Sequence, residues 1–198
     1  MPSFLLASGS PRRRQLLAEA GYRFRVEVSD VVEPPSDDFP SAEAYVSHTA
    51  WLKAHAPAFT SSEWILAADT MAVVGDGCRE HILGKPADRA DAERILRSLA
   101  GTTHRVLTGV CLRLPTARLA LVTCETSYVA MKLLSPKELG NYLDTGLWEG
   151  KAGAYGIQDH DDPFVSAVEG SYSNVMGLPM ERLEELFRQA ARVMGGEK

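Results

Sequence analysis

Two long β-rich runs, at residues 105–114 and 119–134, follow one another without a helix between them. Around these runs, strand and helix signals alternate along the chain, which is typical of a sheet flanked by helices. Consecutive strands inside such a chain favour a mixed sheet over a purely parallel one. The sequence therefore predicts an α/β fold, with a mixed twisted sheet and flanking helices in two lobes around a cleft.

Local signals place the remaining elements. Strands are expected at 3–7, 23–28, 64–68 (continued by 71–74) and 164–168. Helices are expected to begin after the caps Ser10 and Ser41, to span 88–100, and, at the end of the chain, to span 181–194. Another helix should follow Ser135-Pro-Lys-Glu138, which has the spacing of a capping box and Pro at the first helical position. No linker-like stretch interrupts the pattern, so residues 1–198 are expected to form a single domain of two lobes.

Composition excludes several classes of protein. A hydrophobic fraction of 45% with a net charge of −5 is globular and argues against disorder and against a polymeric nucleic-acid partner. No apolar run approaches the ~20 residues of a membrane helix, and a signal peptide is not expected. The three cysteines are odd in number and far apart, which disfavours a disulfide framework or a zinc site. A cytoplasmic location is expected.

The segment Ala7-Ser-Gly-Ser-Pro-Arg-Arg-Arg14 predicts an anion site. A strand leads through small residues to a helix N-terminus, where free amides and the helix dipole favour negative charge. The hydroxyls of Ser8 and Ser10 add donors, and Arg12 and Arg13 can bind phosphate oxygens bidentately. The alternative is a plain capped helix with solvated arginines.

Asp69 lies inside an apolar run, where an unpaired carboxylate would be costly. It therefore needs a metal, a cation or a solvent-open position at a strand end. In the last case Asp69 would only cap a turn and would have no catalytic role. Lys53 and Lys85 are candidate cations, although either could be a solvated surface lysine. Further along, the chain has the glycine-rich segment Gly150-Lys-Ala-Gly-Ala-Tyr-Gly-Ile-Gln158. It could approach a ligand closely and offer Gln158 to a base edge, whereas the segment taken alone favours a plain glycine-rich turn.

Taken together, these segments resemble the Maf family of nucleoside triphosphate pyrophosphatases. The matching pieces occur in family order over nearly the whole chain: Leu6-Ala-Ser-Gly-Ser-Pro-Arg-Arg13, Ala67-Ala-Asp-Thr70, Gly84-Lys-Pro86, Gly101-Thr-Thr-His104, Ala152-Gly-Ala-Tyr-Gly-Ile-Gln158 and Glu169-Gly-Ser-Tyr-Ser-Asn-Val-Met-Gly-Leu-Pro179. The resemblance implies a fold similar to inosine-triphosphate pyrophosphatases. It also implies hydrolysis of a nucleoside triphosphate to the monophosphate and pyrophosphate, with Mg²⁺ or Mn²⁺ as cofactor.

The resemblance extends to a branch of the family and to roles for single residues. Arg12, Thr70 and Gln158 match the branch that prefers dTTP and UTP. Alternatives are a 7-methyl-GTP or modified-pyrimidine pyrophosphatase, or a non-catalytic nucleotide-binding regulator of cell division. Family members are commonly dimers, which leaves a homodimer open. The implied roles are catalysis by Asp69, Lys53 and Lys85; metal binding by Asp69 and Glu33; and substrate binding by Ser8, Ser10, Arg12, Arg13, Thr70 and Gln158.

Overall fold

The computed structural model describes residues 3–60, 62–75, 80–157 and 164–195. Within them, seven strands form one sheet with the order β2-β1-β3-β5-β6-β7, and β4 pairs with β3 off this path. The strands are β1 (Phe4–Leu6), β2 (Phe24–Val26), β3 (Trp64–Gly75), β4 (Glu80–Leu83), β5 (Thr103–Leu114), β6 (Leu119–Met131) and β7 (Val165–Glu169). Strand β1 runs parallel to β2 and β3, and the other pairs are antiparallel. The prediction of a mixed α/β sheet is confirmed.

In the described part of the chain, six α-helices cover the sheet: α1 (Pro11–Glu19), α2 (Ala42–Ala54), α3 (Arg89–Leu99), α4 (Pro136–Asp144), α5 (Tyr172–Val175) and α6 (Met180–Gly195). Three of them begin at a side-chain cap, and the caps at Ser41 and Ser135 are those that the sequence predicts. The Ser41 hydroxyl accepts from the Ala44 amide, the Asp88 carboxylate caps α3, and Ser135 and Glu138 form a complete capping box. These caps satisfy helix amides that would otherwise lack an acceptor.

Two apolar clusters lie on one face of the sheet and define the two lobes. In the first, Leu66 and Val110 pack against α1 and α6. In the second, Val106 and Val129 pack against α3 and α4. Helix α2 covers the opposite face of β3 and β5.

The cleft between the lobes begins as an interruption along one edge of β3. Strand β5 pairs with the other edge of β3 over nine residues. On the cleft side, β1 pairs with β3 only up to Leu66, and β4 takes over at Ala72. The segment between them, which contains Asp69 and Thr70, pairs on this side with no strand among the described residues. Side chains of the middle of β3 therefore lie at an opening within the sheet.

Local patterns misjudged four details. The runs 64–68 and 71–74 are one continuous strand through Asp69 and Thr70, and the short strand β4 and helix α5 were not predicted. Ser10 occupies the position before α1, but its side chain makes no capping hydrogen bond; its amide instead donates to Ser8 Oγ at 3.3 Å. Pro11, the first residue of α1, has no amide hydrogen, and the following amides of the first turn keep no side-chain cap.

Candidate active site

A cavity of about 630 Å³ occupies the opening beside β3. Its walls are the segment between β1 and α1, the middle of β3, the loop before α3, the stretch 149–157 and the residues that follow α5. Every predicted site residue that the structure describes lines this cavity: Ser8, Ser10, Arg12, Arg13, Glu33, Lys53, Asp69, Thr70 and Lys85. Gln158 lies outside the described residues. The fold thus brings together side chains that are up to 77 positions apart, from Ser8 to Lys85.

An ammonium group shared by two carboxylates forms the first part of the site. Lys53 Nζ, projecting from α2, lies 2.7 Å from Asp69 Oδ1 and 2.8 Å from Glu33 Oε1. The side chains of Lys53 and Asp69 are 17% and 13% exposed, so their attraction is only weakly screened by water. Asp69 lies in the middle of β3 rather than at its end, and the interpretation of Asp69 as a strand-end residue is wrong. A cation makes its burial tolerable.

Arg13 forms the second part of the site. Its Nε donates to the Gly177 carbonyl oxygen at 2.7 Å, Nη1 donates to Ser8 Oγ at 2.8 Å, and Nη2 donates to Thr70 Oγ1 at 3.0 Å. Burial lowers the pKa of Arg13 to about 10, partly offset by the nearby Asp69 carboxylate, so the guanidinium stays charged at neutral pH. Three bonds to three separate segments fix this charge firmly at the cleft.

Thr70 connects Arg13 with the interior of the sheet. Its Oγ1 lies 3.0 Å from Thr108 Oγ1 on β5, and Thr108 Oγ1 donates to the Asn174 carbonyl oxygen at 3.2 Å. The substrate-binding role predicted for Thr70 stays a prediction, but its hydroxyl already has protein partners. Thr108 and Asn174 were not singled out from the sequence, because their importance arises only when β5 and α5 meet.

The second lobe contributes Lys85 and an aromatic wall. Lys85 makes no hydrogen bond or ion pair with any other described residue, and it lies on the far side of the cavity from β1. Tyr155 lines the cavity, and its hydroxyl bonds to Nε2 of the buried His104 at 2.8 Å. Burial lowers the pKa of His104 from 6.5 to about 4, so its ring is neutral at pH 7.

The donor set fits a hard divalent cation that is completed by substrate. Asp69 and Glu33 bind one ammonium nitrogen together, so their carboxylates are close enough to share a cation. The described residues contain no cluster of three or more His, Cys, Asp or Glu side chains that would hold a metal alone. One or two carboxylates, with substrate phosphates supplying further oxygens, are the usual Mg²⁺ environment in nucleotide enzymes.

Comparison with known sequences decides the family. The family model for Maf-like proteins matches residues 3–190. The chain belongs to the Maf family. This Maf protein is 42% identical over 189 residues to the dTTP/UTP pyrophosphatase of Koribacter versatilis. The alignment covers 94% of this chain and 93% of the relative. It is 44% identical over 187 residues to the dTTP/UTP pyrophosphatase of Rhodopirellula baltica, with coverage of 93% and 81%.

Solved structures give a looser match. A HAM1 protein from Coxiella burnetii superposes with a TM-score of 0.48 at 15% identity, covering 66% of this Maf protein and 73% of that chain. A nucleoside-triphosphatase (dITP/XTP pyrophosphatase) from Mycobacterium abscessus gives a TM-score of 0.41 at 16% identity, with coverage of 73% and 95%. Similarity at this level is no basis for assigning function. None of the described helices has the length and apolar character needed to span a membrane.

Proposed function

We propose that this Maf protein hydrolyses dTTP and UTP to the nucleoside monophosphate and pyrophosphate. One observation carries the proposal: a carboxylate pair, Asp69 and Glu33, lies in the same cavity as the fixed guanidinium of Arg13 and the ammonium of Lys85. A polyanion needs the cationic groups, whereas a protein that only bound it would gain nothing from the carboxylates. Relatives 42% and 44% identical are named dTTP/UTP pyrophosphatases, which supports this substrate class.

In the proposed reaction, water attacks the α-phosphorus, a P–O bond forms to the water oxygen, and the bond to the bridging oxygen of the departing pyrophosphate breaks. Asp69 orients the water and accepts its proton, which then passes to solvent. Lys53 keeps the Asp69 carboxylate directed into the cavity. These contacts amount to positioning and charge neutralisation, on which phosphoryl transfer chiefly depends.

The remaining charges bind the triphosphate. Arg13 and the hydroxyl of Ser8 bind oxygens at one side of the cleft, together with Ser10 and Arg12 at the start of α1. Lys85, on the opposite side, neutralises the charge that develops on the leaving pyrophosphate. Both lobes therefore contact the same phosphate chain.

Asp69 and Glu33 are the residues that would hold Mg²⁺ or Mn²⁺ in this proposal. The ion, when bound, neutralises phosphate charge and polarises the P–O bonds. Gln158, with a donor and an acceptor on its amide, is proposed to read the edge of the pyrimidine. Uracil and thymine present the same donor–acceptor pattern on that edge, so both would be accepted, whereas cytosine would leave polar groups unpaired.

We further propose that the whole chain works as a single cytoplasmic domain. The continuity of one sheet through both lobes supports a single domain. Cys111 and Cys124, the described cysteines, are free thiols, which is in keeping with a reducing compartment.

The test is a substrate panel with pyrophosphate as the readout. Purified protein is incubated with dTTP, UTP, CTP and 7-methyl-GTP in Mg²⁺, in Mn²⁺ and with a chelator. We expect pyrophosphate, without orthophosphate, from dTTP and UTP only when a divalent metal is present. Preference for 7-methyl-GTP would move the protein to another substrate class. Binding of dTTP without any pyrophosphate release over hours would favour a non-catalytic regulator.

A further inference from the structure

A chain of buried and partly buried hydrogen bonds connects Arg13 with the interior of the molecule. Its members, called the buried polar chain below, are Arg13, Thr70, Thr108 and Asn174. On β3 and β5, the two threonines are register partners that separate the apolar clusters of the two lobes. Thr108 on β5 and Asn174 on α5 are both fully buried, at positions where apolar residues would otherwise be expected.

The hydrogen-bond directions in this chain follow from the number of protons available. Thr108 donates its single hydroxyl proton to the Asn174 carbonyl oxygen, so toward Thr70 it can only accept. Thr70 therefore donates to Thr108 and uses a lone pair to accept from Arg13 Nη2. The alternative acceptor for the Thr70 proton, the Gly177 carbonyl oxygen, is farther away at 3.4 Å. Each bond thus sets the orientation of the next, from the interior to the cleft.

Asn174 anchors the inner end of the chain. Its side-chain Nδ2 donates to the Val106 carbonyl oxygen at 2.9 Å and to Ser127 Oγ at 3.0 Å, and its backbone amide donates to Ser171 Oγ at 3.1 Å. These bonds tie α5 to β5 and β6. Gly177, three residues after Asn174, supplies the carbonyl oxygen that accepts from Arg13 Nε. Asn174 therefore supports Arg13 through Thr108 and also through the backbone of its own segment.

From this arrangement we infer that Thr108 and Asn174 are positioning residues that hold the Arg13 guanidinium at the phosphate side of the cleft. The inference rests on the proposed function in assigning Arg13 to the phosphates. It also assigns Thr70 to the support of Arg13 rather than to the nucleobase, because the proton of its hydroxyl is directed into the sheet. Loss of the buried polar chain should then affect every nucleotide substrate equally.

The experiment compares Thr108→Val, which removes the hydroxyl while keeping the shape, with Thr108→Ser, which restores the hydroxyl. Thr49→Val is the matched control: Thr49 lies on α2, is equally buried, and is not a member of the buried polar chain. The first measurement needs no substrate. It is the solvent exchange of the Arg13 Nε–H proton by NMR, with the signal assigned from its absence in Arg13→Lys.

We expect Thr108→Val to accelerate Nε–H exchange of Arg13, and Thr108→Ser and Thr49→Val to leave it near the wild-type rate. In the second measurement, kcat/KM of Thr108→Val should fall about fivefold to tenfold, the scale of one lost hydrogen bond, by the same factor for dTTP and UTP. KM should rise more than kcat falls, because Arg13 contacts phosphate in the bound substrate as well as in the transition state. Thr108→Ser should recover most of the loss.

Three results would overturn the inference: unchanged exchange in Thr108→Val, a loss of activity confined to one nucleotide, or an equal loss in Thr49→Val. A stability defect alone is separated by urea unfolding and by the serine variant, which keeps the hydrogen bond. If wild-type protein releases no pyrophosphate while the exchange of Arg13 responds as expected, the proposed function is wrong and the support of Arg13 by Thr108 stands.

Discussion

Gly109 lies directly opposite Asp69 in the antiparallel pairing of β5 with β3, at the point where α2 crosses the sheet. A methyl group at Gly109 would overlap the Val46 carbonyl oxygen of α2 and lie 2.7 Å from the Ser47 amide nitrogen. Because α2 also carries Lys53, this close crossing sets the 2.7 Å contact between Lys53 Nζ and Asp69 Oδ1. A residue without a side chain therefore determines the geometry of the carboxylate site.

Gly109→Ala should disturb both stability and catalysis. Helix α2 must move to admit the methyl group, which costs ~1–3 kcal/mol of unfolding free energy by the usual scale of overpacking and separates Lys53 from Asp69. Urea unfolding and kcat for dTTP measure the two effects. Gly140→Ala is the control, since a Cβ at Gly140 in α4 meets nothing within 4 Å and should stabilise the helix by up to ~1 kcal/mol. Wild-type kcat in Gly109→Ala would contradict this account.

Asp69→Asn should nearly abolish turnover while the fold survives. The change is close to isosteric, but the amide cannot accept a proton from water, and loss of a general base typically costs ~10²- to 10⁴-fold. Single-turnover rates of pyrophosphate release measure the loss, and circular dichroism monitors the fold. Asp144→Asn, at a surface carboxylate paired with Arg89, should keep wild-type activity. Retention of more than about a tenth of kcat in Asp69→Asn would remove this residue from the proton-transfer role.

Glu33→Gln should weaken the response to metal more than it weakens the fold. Glu33 is 45% exposed, and its carboxylate shares the Lys53 ammonium with Asp69. An amide keeps the size of the side chain but removes the charge that a divalent cation requires. The Mg²⁺ concentration for half-maximal rate should rise, and direct Mn²⁺ binding measured by electron paramagnetic resonance should weaken in parallel. An unchanged metal dependence would assign metal binding to Asp69 without Glu33.

Gln158→Glu should damage discrimination between bases. An ionised carboxylate offers only acceptors, so one hydrogen bond to thymine or uracil is lost and a base oxygen faces a negative charge. The expected loss in kcat/KM for dTTP is ~1–3 kcal/mol, with a smaller loss for a nucleotide that presents a different edge. Assays of dTTP, UTP, CTP and 7-methyl-GTP measure it. A uniform fall across all four would place Gln158 at the phosphates or in the fold.

His104 should make stability depend on pH in a defined window. Because burial lowers its folded-state pKa from 6.5 to about 4, the unfolded chain binds an extra proton between these values. Stability is therefore present in full above pH 6.5 and falls as the pH approaches 4, by up to about 1.4 kcal/mol per pH unit. The free energy of unfolding, measured with urea from pH 4.5 to 7.5, should depend less steeply on pH in His104→Gln than in the wild type. His81→Gln, at an exposed position of β4, should keep the wild-type slope.

Local sequence signals were sufficient for most elements of the fold. The capping box at Ser135 and Glu138 predicted the start of α4, and the two consecutive β-rich runs predicted the mixed sheet. In contrast, the strand through Asp69 looked like two pieces, because a carboxylate interrupts its apolar pattern. Its continuity depends on Lys53, sixteen residues away in the chain, which pairs with the carboxylate.

The candidate site was predicted where a residue type was chemically unusual in its place, as with Asp69 and the arginines after Pro11. Thr108, Asn174 and Gly109 escaped notice for the opposite reason. A threonine in a β-rich run is ordinary, an asparagine in a polar turn is ordinary, and a lone glycine in a strand indicates only some close approach. Their significance comes from contacts across 62 to 66 positions of chain, which no local pattern records.

The interrupted edge of β3 also restricts how the protein can move. Both lobes are built on the same two strands, so a rigid swing of one lobe against the other would tear the continuous β3–β5 ladder beside Asp69. We therefore expect substrate to enter and leave by displacement of side chains and connecting loops, without a rigid swing of the lobes. The central strands that carry Asp69 and Thr70 should then keep the same positions in the free and the nucleotide-bound protein.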